Sequence, residues 1–205
     1  MIIFHDPRCV EYSRRGHVER PARIARSVAL LQERHPQWEW RVPECADDIA
    51  LQRAHATPYI ETIREAADDF DSDCPAYADI FHHSLRASGA AVSVARAAPA
   101  GELSFSLMRP PGHHAMRDRA MGFCYFNHIA VAALDALAGG VERVAIWDFD
   151  AHHGNGTEAI VRGNSQIMFA SVHQYPGWPG TGTESFENIH NYPVRPGTPR
   201  AAHMS

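Results

Sequence analysis

Two aspartates and two histidines lie close together between Trp147 and Gly156. Side chains on a strand alternate between its two faces, so Asp148, Asp150 and His152 share one face if the extended conformation continues. Carboxylate oxygen and imidazole nitrogen are ordinary zinc ligands, and a catalytic zinc binds three protein groups and keeps one position open. The spacing therefore predicts that Asp150 and His152 are two ligands of one cation.

A second group of histidines follows two prolines and a glycine in the segment 109–115. These residues restrict the backbone and suit a pair of imidazoles, His113 and His114, held at set distances from a metal and its water. Each imidazole needs an acceptor that orients its second nitrogen, and Asp148 and Asn155 are available in the neighbouring segment. We expect the histidine pair to handle protons beside the metal.

The apolar pattern predicts the elements that position these loops. It alternates strands and helices, which favours a parallel sheet covered by helices. The predicted strands are 2–4, 103–108, 144–149 (a buried strand), 167–172 and 189–194, and the predicted helices are 21–35, 58–70, 80–97, 128–137 and 157–161. In open α/β sheets ligands bind beyond the carboxyl ends of the strands. The loops 109–114, 150–156 and 173–183 all follow predicted strands and are expected to form one site.

Composition limits the class of protein. The 205 residues are 45% hydrophobic and predict a single domain, 1–205, and the net charge of -5 argues against a nucleic-acid partner. The sequence offers neither a leader nor an apolar stretch long enough to span a membrane, so we expect no membrane partner and a cytoplasmic location. The four cysteines form no C-x-x-C pair and are expected to be reduced. The 14 histidines favour a metalloenzyme.

Four motifs resemble the zinc-dependent histone deacetylase family, which includes bacterial deacetylase-like amidohydrolases and acetylpolyamine amidohydrolases. They are RPPGHHA at 109–115, GFCYFN at 122–127, DFDAHHGNGT at 148–157 and PGTG at 179–182. Weaker matches are ERP at 19–21 and DCP at 73–75. The resemblance runs from about position 4 to 196. It implies a three-layer α/β fold of the arginase and deacetylase type, with a mainly parallel sheet and helices on both faces.

The resemblance also implies two metal sites. Zn²⁺ would be held by Asp150 and His152. A structural K⁺ near it would be held by Asp148, Asp150, His152, Ser171 and the carbonyl of Val172.

The remaining roles that the resemblance implies are catalytic and substrate-binding. His114 would be the general base and acid, and His113, paired with Asp148, would orient water and stabilise charge. Asn155 would orient His114. The substrate-binding residues would be Phe123 and Trp178 as tunnel walls, Gly122 as tunnel lining and Asp73 as a hydrogen-bonding group at the rim. The implied substrates are acylated lysine peptides or acetylpolyamines, hydrolysed to a carboxylate and a free amine.

The sequence departs from the family pattern in two ways. Asn155 stands where many members have aspartate, which points to the class II branch. The family's third zinc ligand, an aspartate, and its transition-state tyrosine lie beyond position 205. We therefore expect residues 1–205 to resemble the amino-terminal portion of a longer fold, with the segment 193–205 leading into a further helix. As a separate chain, residues 1–205 should hydrolyse slowly, bind zinc weakly and self-associate as a homo-oligomer.

Two alternatives remain open at this point. An arginase-type ureohydrolase has two manganese ions and a further aspartate two residues after the histidine, where this chain has Gly154. A single metal is therefore favoured. The second alternative is an inactive chain that binds acyl-lysine or serves as an interaction module, and zinc stoichiometry would separate it from an enzyme.

Overall fold

The computed structural model describes residues 1–199 and 201 and shows two parallel three-stranded sheets flanked by helices. The strands are β1 (Ile2–Phe4), β2 (Glu39–Arg41), β3 (Ser104–Ser106), β4 (Val144–Asp148), β5 (Ile167–Gln174) and β6 (Ile189–Val194). The helices are α1 (Ala22–Arg34), α2 (Asp48–Ala54), α3 (Thr57–Arg64), α4 (Ile80–Ala97), α5 (His128–Ala138) and α6 (Asn155–Val161). The sheet orders are β2-β1-β3 and β4-β5-β6. The predicted α/β class with parallel pairing is confirmed.

The central strand of the first sheet is buried on both faces. All three residues of β1 are buried, as expected for a central parallel strand. They form one core with Ile24 of α1 and with Ala87 and Ala90 of α4. Because this core fixes β3, it also fixes the start of the histidine loop that follows β3.

A second, larger core packs the helices α2, α3, α4 and α5 against one face of the second sheet. Ile146 of β4, Phe169 of β5 and Ile189 of β6 all point into it. Asn127 caps α5 by accepting a hydrogen bond from the backbone N–H of Ala130 at 3.1 Å. The same side chain donates to the carbonyl of Ala115 at 3.1 Å and so ties α5 to the histidine loop.

The other face of the second sheet is more exposed than the sequence predicts. We predicted 144–149 as a buried strand, and this was wrong: Trp147 is 68% exposed and Phe149 is 74% exposed. The reason is the period of two along β4, which points Ile146 into the core and its neighbours to the opposite face. In the described part of the chain no helix covers that opposite face at β4.

Several element boundaries also differ from the prediction. The helix predicted for 58–70 ends at Arg64, β3 is shorter than predicted, α6 begins two residues earlier and β5 continues to Gln174. β2 was missed because it has one large apolar residue, Trp40, and forms through parallel pairing with β1. α2 was also missed, although Asp47 gives a readable start signal by accepting from the N–H of Ala50 at 2.8 Å.

In the residues that the structure describes, no helix is long and apolar enough to cross a membrane.

Candidate active site

The loops after β3 and β4 meet through two imidazole hydrogen bonds. His113 donates from Nδ1 to Oδ2 of Asp148, and the two atoms are 2.8 Å apart. His114 donates from Nδ1 to Oδ1 of Asn155 over the same distance. The structure therefore places both predicted histidine–acceptor pairs in contact and brings the two strand ends to one site.

A glycine allows these loops to approach so closely. At Gly156, in the first turn of α6, an added Cβ would lie 2.3 Å from the carbonyl oxygen of Ala115 and 2.5 Å from the carbonyl carbon of His114. Both neighbours are backbone atoms, so they cannot move aside as a flexible side chain would. The next residue, Thr157, donates its N–H to the carbonyl of His113 at 3.1 Å. The first turn of α6 thus fixes the backbone of both histidines.

The aspartate segment turns immediately after β4. Oδ1 of Asp148 accepts from the N–H of Asp150 at 3.1 Å, and Oδ1 of Asp150 accepts from the N–H of His152 at 2.8 Å. The condition for a shared strand face, an extended conformation as far as His152, is not met, because each carboxylate folds back onto the backbone two residues ahead. The turn nevertheless leaves Asp150 and His152 side by side.

The donor pair of Asp150 and His152 fits two positions around a zinc ion. Oδ1 of Asp150 and Nδ1 of His152 are 3.1 Å apart, and both side chains are about half exposed. Two ligands of a tetrahedral zinc at ordinary bond lengths lie about 3.3 Å from each other. Among the described residues, no cluster of three or more His, Cys, Asp or Glu side chains could hold a metal. Zinc ligation by Asp150 and His152 therefore stays a prediction, and that part of the chain offers no third His, Cys, Asp or Glu donor beside them.

The residues predicted to hold potassium lie together at the adjoining strand ends. Asp148 and Ser171 are register partners on β4 and β5, and Val172 follows Ser171 directly. Ser171 is fully buried, with its Oγ 2.9 Å from Nδ1 of His173. The potassium site remains a prediction.

A cleft of about 610 Å³ opens in front of His114. It brings together the pair of Asp150 and His152, the histidine pair and every residue predicted to bind substrate. These are His113, His114, Asp150, His152, Asp73, Gly122, Phe123 and Trp178. The residues predicted to bind zinc and substrate therefore line one cavity together with the histidine pair, and Asp148 and Asn155 lie behind it as hydrogen-bond acceptors.

The walls of the cleft are aromatic. The ring of Trp178 lies edge-on to His114, with the ring centres 4.5 Å apart, and Phe123 packs edge-on against His17 at 5.2 Å. Gly122 lies against both Trp178 and His114. An added Cβ there would come within 2.5 Å of the indole and 2.7 Å of the His114 ring. This glycine therefore keeps the cleft open beside the imidazole.

His114 is buried and uncharged at neutral pH. Burial lowers its pKa to about 4, and the charge of His113 acts in the same direction. Since Nδ1–H donates to Asn155, the lone pair is on Nε2, which has no hydrogen-bond partner among the described residues. The neutral ring therefore presents an unprotonated nitrogen to the cleft, which is the protonation state of a general base.

Asp150 has the opposite electrostatic character. Burial acts to raise its pKa, yet the pKa is lowered overall because the N–H of His152 and the charge of His113 stabilise the carboxylate. An ionised carboxylate is the form that binds a metal.

Sequence reasoning gave no role to Arg109 and Arg23, although the structure places both next to Glu19. Arg109 is fully buried and makes two hydrogen bonds to Glu19, at 2.8 and 2.6 Å, and one to the carbonyl of Cys9 at 2.8 Å. Glu19 and Arg23 also lie on the wall of the cleft. Only the i, i+4 spacing of Glu19 and Arg23 could have indicated their contact.

Comparison with known proteins adds the family. Residues 17–204 match the family model described as "Histone deacetylase domain". The "Histone deacetylase-like amidohydrolase" of Pseudomonas aeruginosa is 38% identical over 178 residues, which cover 80% of this chain and 47% of that protein. A "Probable deacetylase" of Archaeoglobus fulgidus is 34% identical over 192 residues, covering 88% of this chain and 53% of that protein.

A solved structure agrees with these matches. The crystal structure of the HDA15 HD domain superposes with a TM-score of 0.84 at 30% identity, covering 94% of this chain and 61% of that one. Fold and sequence together define the class of deacetylase-like domains. The chain belongs to the histone deacetylase domain family, as its motifs predicted. It spans about half the length of the curated relatives that it matches, between 47% and 58%.

Proposed function

We propose that the cleft is the site of a zinc-dependent amidohydrolase that removes acetyl or other acyl groups from acylated lysine or polyamine amines. The observation that carries this proposal is the position of His114. Its unprotonated Nε2 is in the same cleft as the donor pair of Asp150 and His152. A base and a two-donor metal site in one aromatic-walled cavity are the components that amide hydrolysis requires.

The chain's own residues support each proton movement of that reaction. Zinc, when bound, would polarise the acyl carbonyl and lower the pKa of a water molecule to about 7. His114 accepts the proton of the attacking water on Nε2 and then returns it to the leaving nitrogen, so that amide and water give a carboxylate and an amine. Asn155 keeps the His114 proton on Nδ1 during this cycle. His113, with Asp148 behind it, stabilises the charge that develops on the reacting oxygen.

The walls of the cleft support an acylated alkylamine as the substrate. Phe123 and Trp178 offer apolar surfaces for the methylene chain of a lysine or a polyamine. Asp73 is partly buried at the cleft and can accept a hydrogen bond from a substrate N–H. Both substrate classes share this chemistry, and the assay below includes both.

The structure offers an argument against the arginase-type alternative. That alternative needs a carboxylate at position 154, but a Cβ there would lie 2.1 Å from Oδ2 of Asp148 and 3.3 Å from Nδ1 of His113. A side chain at this position would break the His113–Asp148 hydrogen bond. We therefore propose one catalytic metal.

An amine-release assay tests the proposal. The metal-free chain is supplied with Zn²⁺ or Mn²⁺ and given an acetyl-lysine peptide, an acetylpolyamine or arginine. We expect zinc-stimulated release of amine from at least one acetylated substrate and no urea from arginine. His82→Ala, which changes an exposed histidine outside the cleft, is the matched control and should behave as the wild type. Peptide binding without release, or urea formation with manganese, would contradict the proposal.

A further inference from the structure

The loop that carries Trp178 is attached to α6 by one buried histidine. His153 is 1% exposed, and both of its ring nitrogens are used. Nε2 donates to Oε2 of Glu158 at 3.0 Å, and Nδ1 accepts from the hydroxyl of Thr181 at 2.8 Å. The imidazole therefore bridges a helix and a loop that are far apart in sequence.

The helix side of this bridge is itself held in place. The same oxygen of Glu158 accepts a second hydrogen bond, from Nδ2 of Asn191 at 2.7 Å. Asn191 belongs to β6 and is buried. His153 is thus connected to both α6 and the second sheet, which makes it a rigid point of attachment.

The loop side leads directly to the wall of the cleft. Trp178 lies three residues before Thr181, and its indole contacts the rings of His114 and His152, with centres 4.5 and 5.8 Å away. At Gly182 an added Cβ would lie 2.6 Å from the His153 ring, so the loop backbone rests on that imidazole. Two contacts fix this end of the loop: the His153–Thr181 hydrogen bond, and one from Nε2 of His173 to the carbonyl of Gly182 at 3.0 Å. Of the two, the His153 contact is the one that connects the loop to α6.

We propose that His153 is a positioning residue that fixes the Trp178 loop to α6 through Thr181 and Glu158, and so sets the width of the cleft beside His114. The bridge itself follows from the contacts above. Its effect on substrate binding rests on the proposed function, in which Trp178 is a wall for the acylated alkyl chain. His153 acts through the indole and does not touch the reacting atoms.

The test removes the hydroxyl of Thr181 and measures whether the environment of the Trp178 indole changes. Thr181→Val keeps the size of an exposed side chain and removes its hydrogen bond to His153. Thr181→Ser keeps the hydroxyl and should restore the wild-type behaviour. Thr183→Val is the matched control, because Thr183 is also exposed and makes no side-chain hydrogen bond to any described residue.

The primary measurement needs neither metal nor turnover. The four tryptophans are labelled with 5-fluorotryptophan, and the ¹⁹F resonance of Trp178 is assigned with Trp178→Phe. In the metal-free chain we expect Thr181→Val to shift or broaden this resonance, and the other three tryptophan signals to stay unchanged. Thr181→Ser and Thr183→Val should match the wild type. An unchanged Trp178 signal in a folded Thr181→Val protein would overturn the proposal, and Thr181→Ala provides a second variant if Val disturbs folding.

A kinetic measurement then connects the bridge to the proposed reaction. With an acetylated amine as substrate, Thr181→Val should raise KM by roughly three- to tenfold, the effect expected for one lost hydrogen bond. The change in kcat should be smaller, because His114 and the metal donors are intact. A moved Trp178 signal in a chain with no turnover would support the bridge and refute the proposed function. An unmoved Trp178 signal in a chain that does turn over substrate would support the proposed function and refute the bridge.

Discussion

The Nδ1 of His114 and the Oδ1 of Asn155 are 2.8 Å apart, and this contact determines which nitrogen of the imidazole faces the cleft. Since the proton is on Nδ1, the lone pair on Nε2 is directed away from Asn155. Burial keeps the ring neutral by lowering its pKa to about 4. An amide oxygen and a buried ring therefore give His114 the form that a general base requires.

Replacing this histidine should remove catalysis and leave the metal site in place. His114→Ala is expected to lower kcat by about 100- to 10,000-fold, the usual contribution of a general base. Zinc content should equal that of the wild type, because Asp150 and His152 are unchanged. Both quantities are measured on the same sample, by amine release and by elemental analysis. Loss of zinc from this variant would assign His114 as a ligand, and full activity would assign another group as the base.

The close backbone approach at Gly156 predicts that alanine costs much more stability there than at Gly139. Gly156→Ala should destabilise the fold by about 1 to 3 kcal/mol, because its Cβ would overlap the backbone of the histidine loop. Gly139→Ala is the control, since its Cβ would meet only ordinary contacts of 3.4 Å at a φ of -80°. That substitution should be neutral or stabilise by up to about 1 kcal/mol. Urea unfolding measures both, and equal effects would show that the approach at Gly156 is not rigid.

The buried pair of Arg109 and Glu19 should contribute far more to stability than an exposed pair. Arg109→Met leaves the buried Glu19 carboxylate with only the half-exposed Arg23 beside it and should cost about 3 kcal/mol, the lower end of the range for breaking a buried pair. Arg14→Met breaks the exposed pair with Asp69 and should have a much smaller effect, because solvent screens this pair. The double variant Arg109→Met/Glu19→Leu should recover part of the loss. If the double variant lost as much stability as Arg109→Met and Glu19→Leu lose together, the unpaired charge would not be the cause of the loss.

Much of this organisation can be predicted from the sequence. The remaining features could not be predicted, for identifiable physical reasons. The strand at Ile2–Phe4 and the helix at Ile80–Ala97 were predicted with their observed bounds, because apolar runs and prolines mark them. The exposure of Trp147 was not predicted, since a short apolar run looks the same on a covered and an uncovered sheet face. The Arg109–Glu19 pair joins residues 90 positions apart, and no local pattern encodes such a contact.

Buried histidines predict how stability depends on pH, and two of them, His55 and His83, lie outside the cleft. Burial lowers the pKa of His55 and of His83 to about 4, and the charge of Arg86 also lowers that of His83. Between pH 6.5 and 4 the unfolded chain binds protons at these positions and the folded chain does not. The stability that these neutral imidazoles contribute is therefore fully present above pH 6.5. Below that pH the free energy of unfolding should fall by about 1.4 kcal/mol per pH unit for each histidine.

Urea unfolding at several pH values between 7 and 5 measures this slope. His83→Gln should reduce it by the share of one histidine. Gln52→Ala changes an exposed residue that has no titratable group and should leave the slope unchanged. A free energy of unfolding that is constant over this range would contradict the burial of neutral imidazoles.

The central claim is that Asp150 and His152 hold a catalytic zinc beside His114, and anomalous diffraction at the zinc edge tests it most directly. Crystals of the chain soaked in Zn²⁺ should show a peak about 2.0 to 2.2 Å from a carboxylate oxygen of Asp150 and from a ring nitrogen of His152. The peak should disappear in Asp150→Ala and persist in Asp68→Ala, which removes an exposed aspartate elsewhere. A zinc peak that survives Asp150→Ala, or that lies only at histidines outside the cleft, would contradict the account.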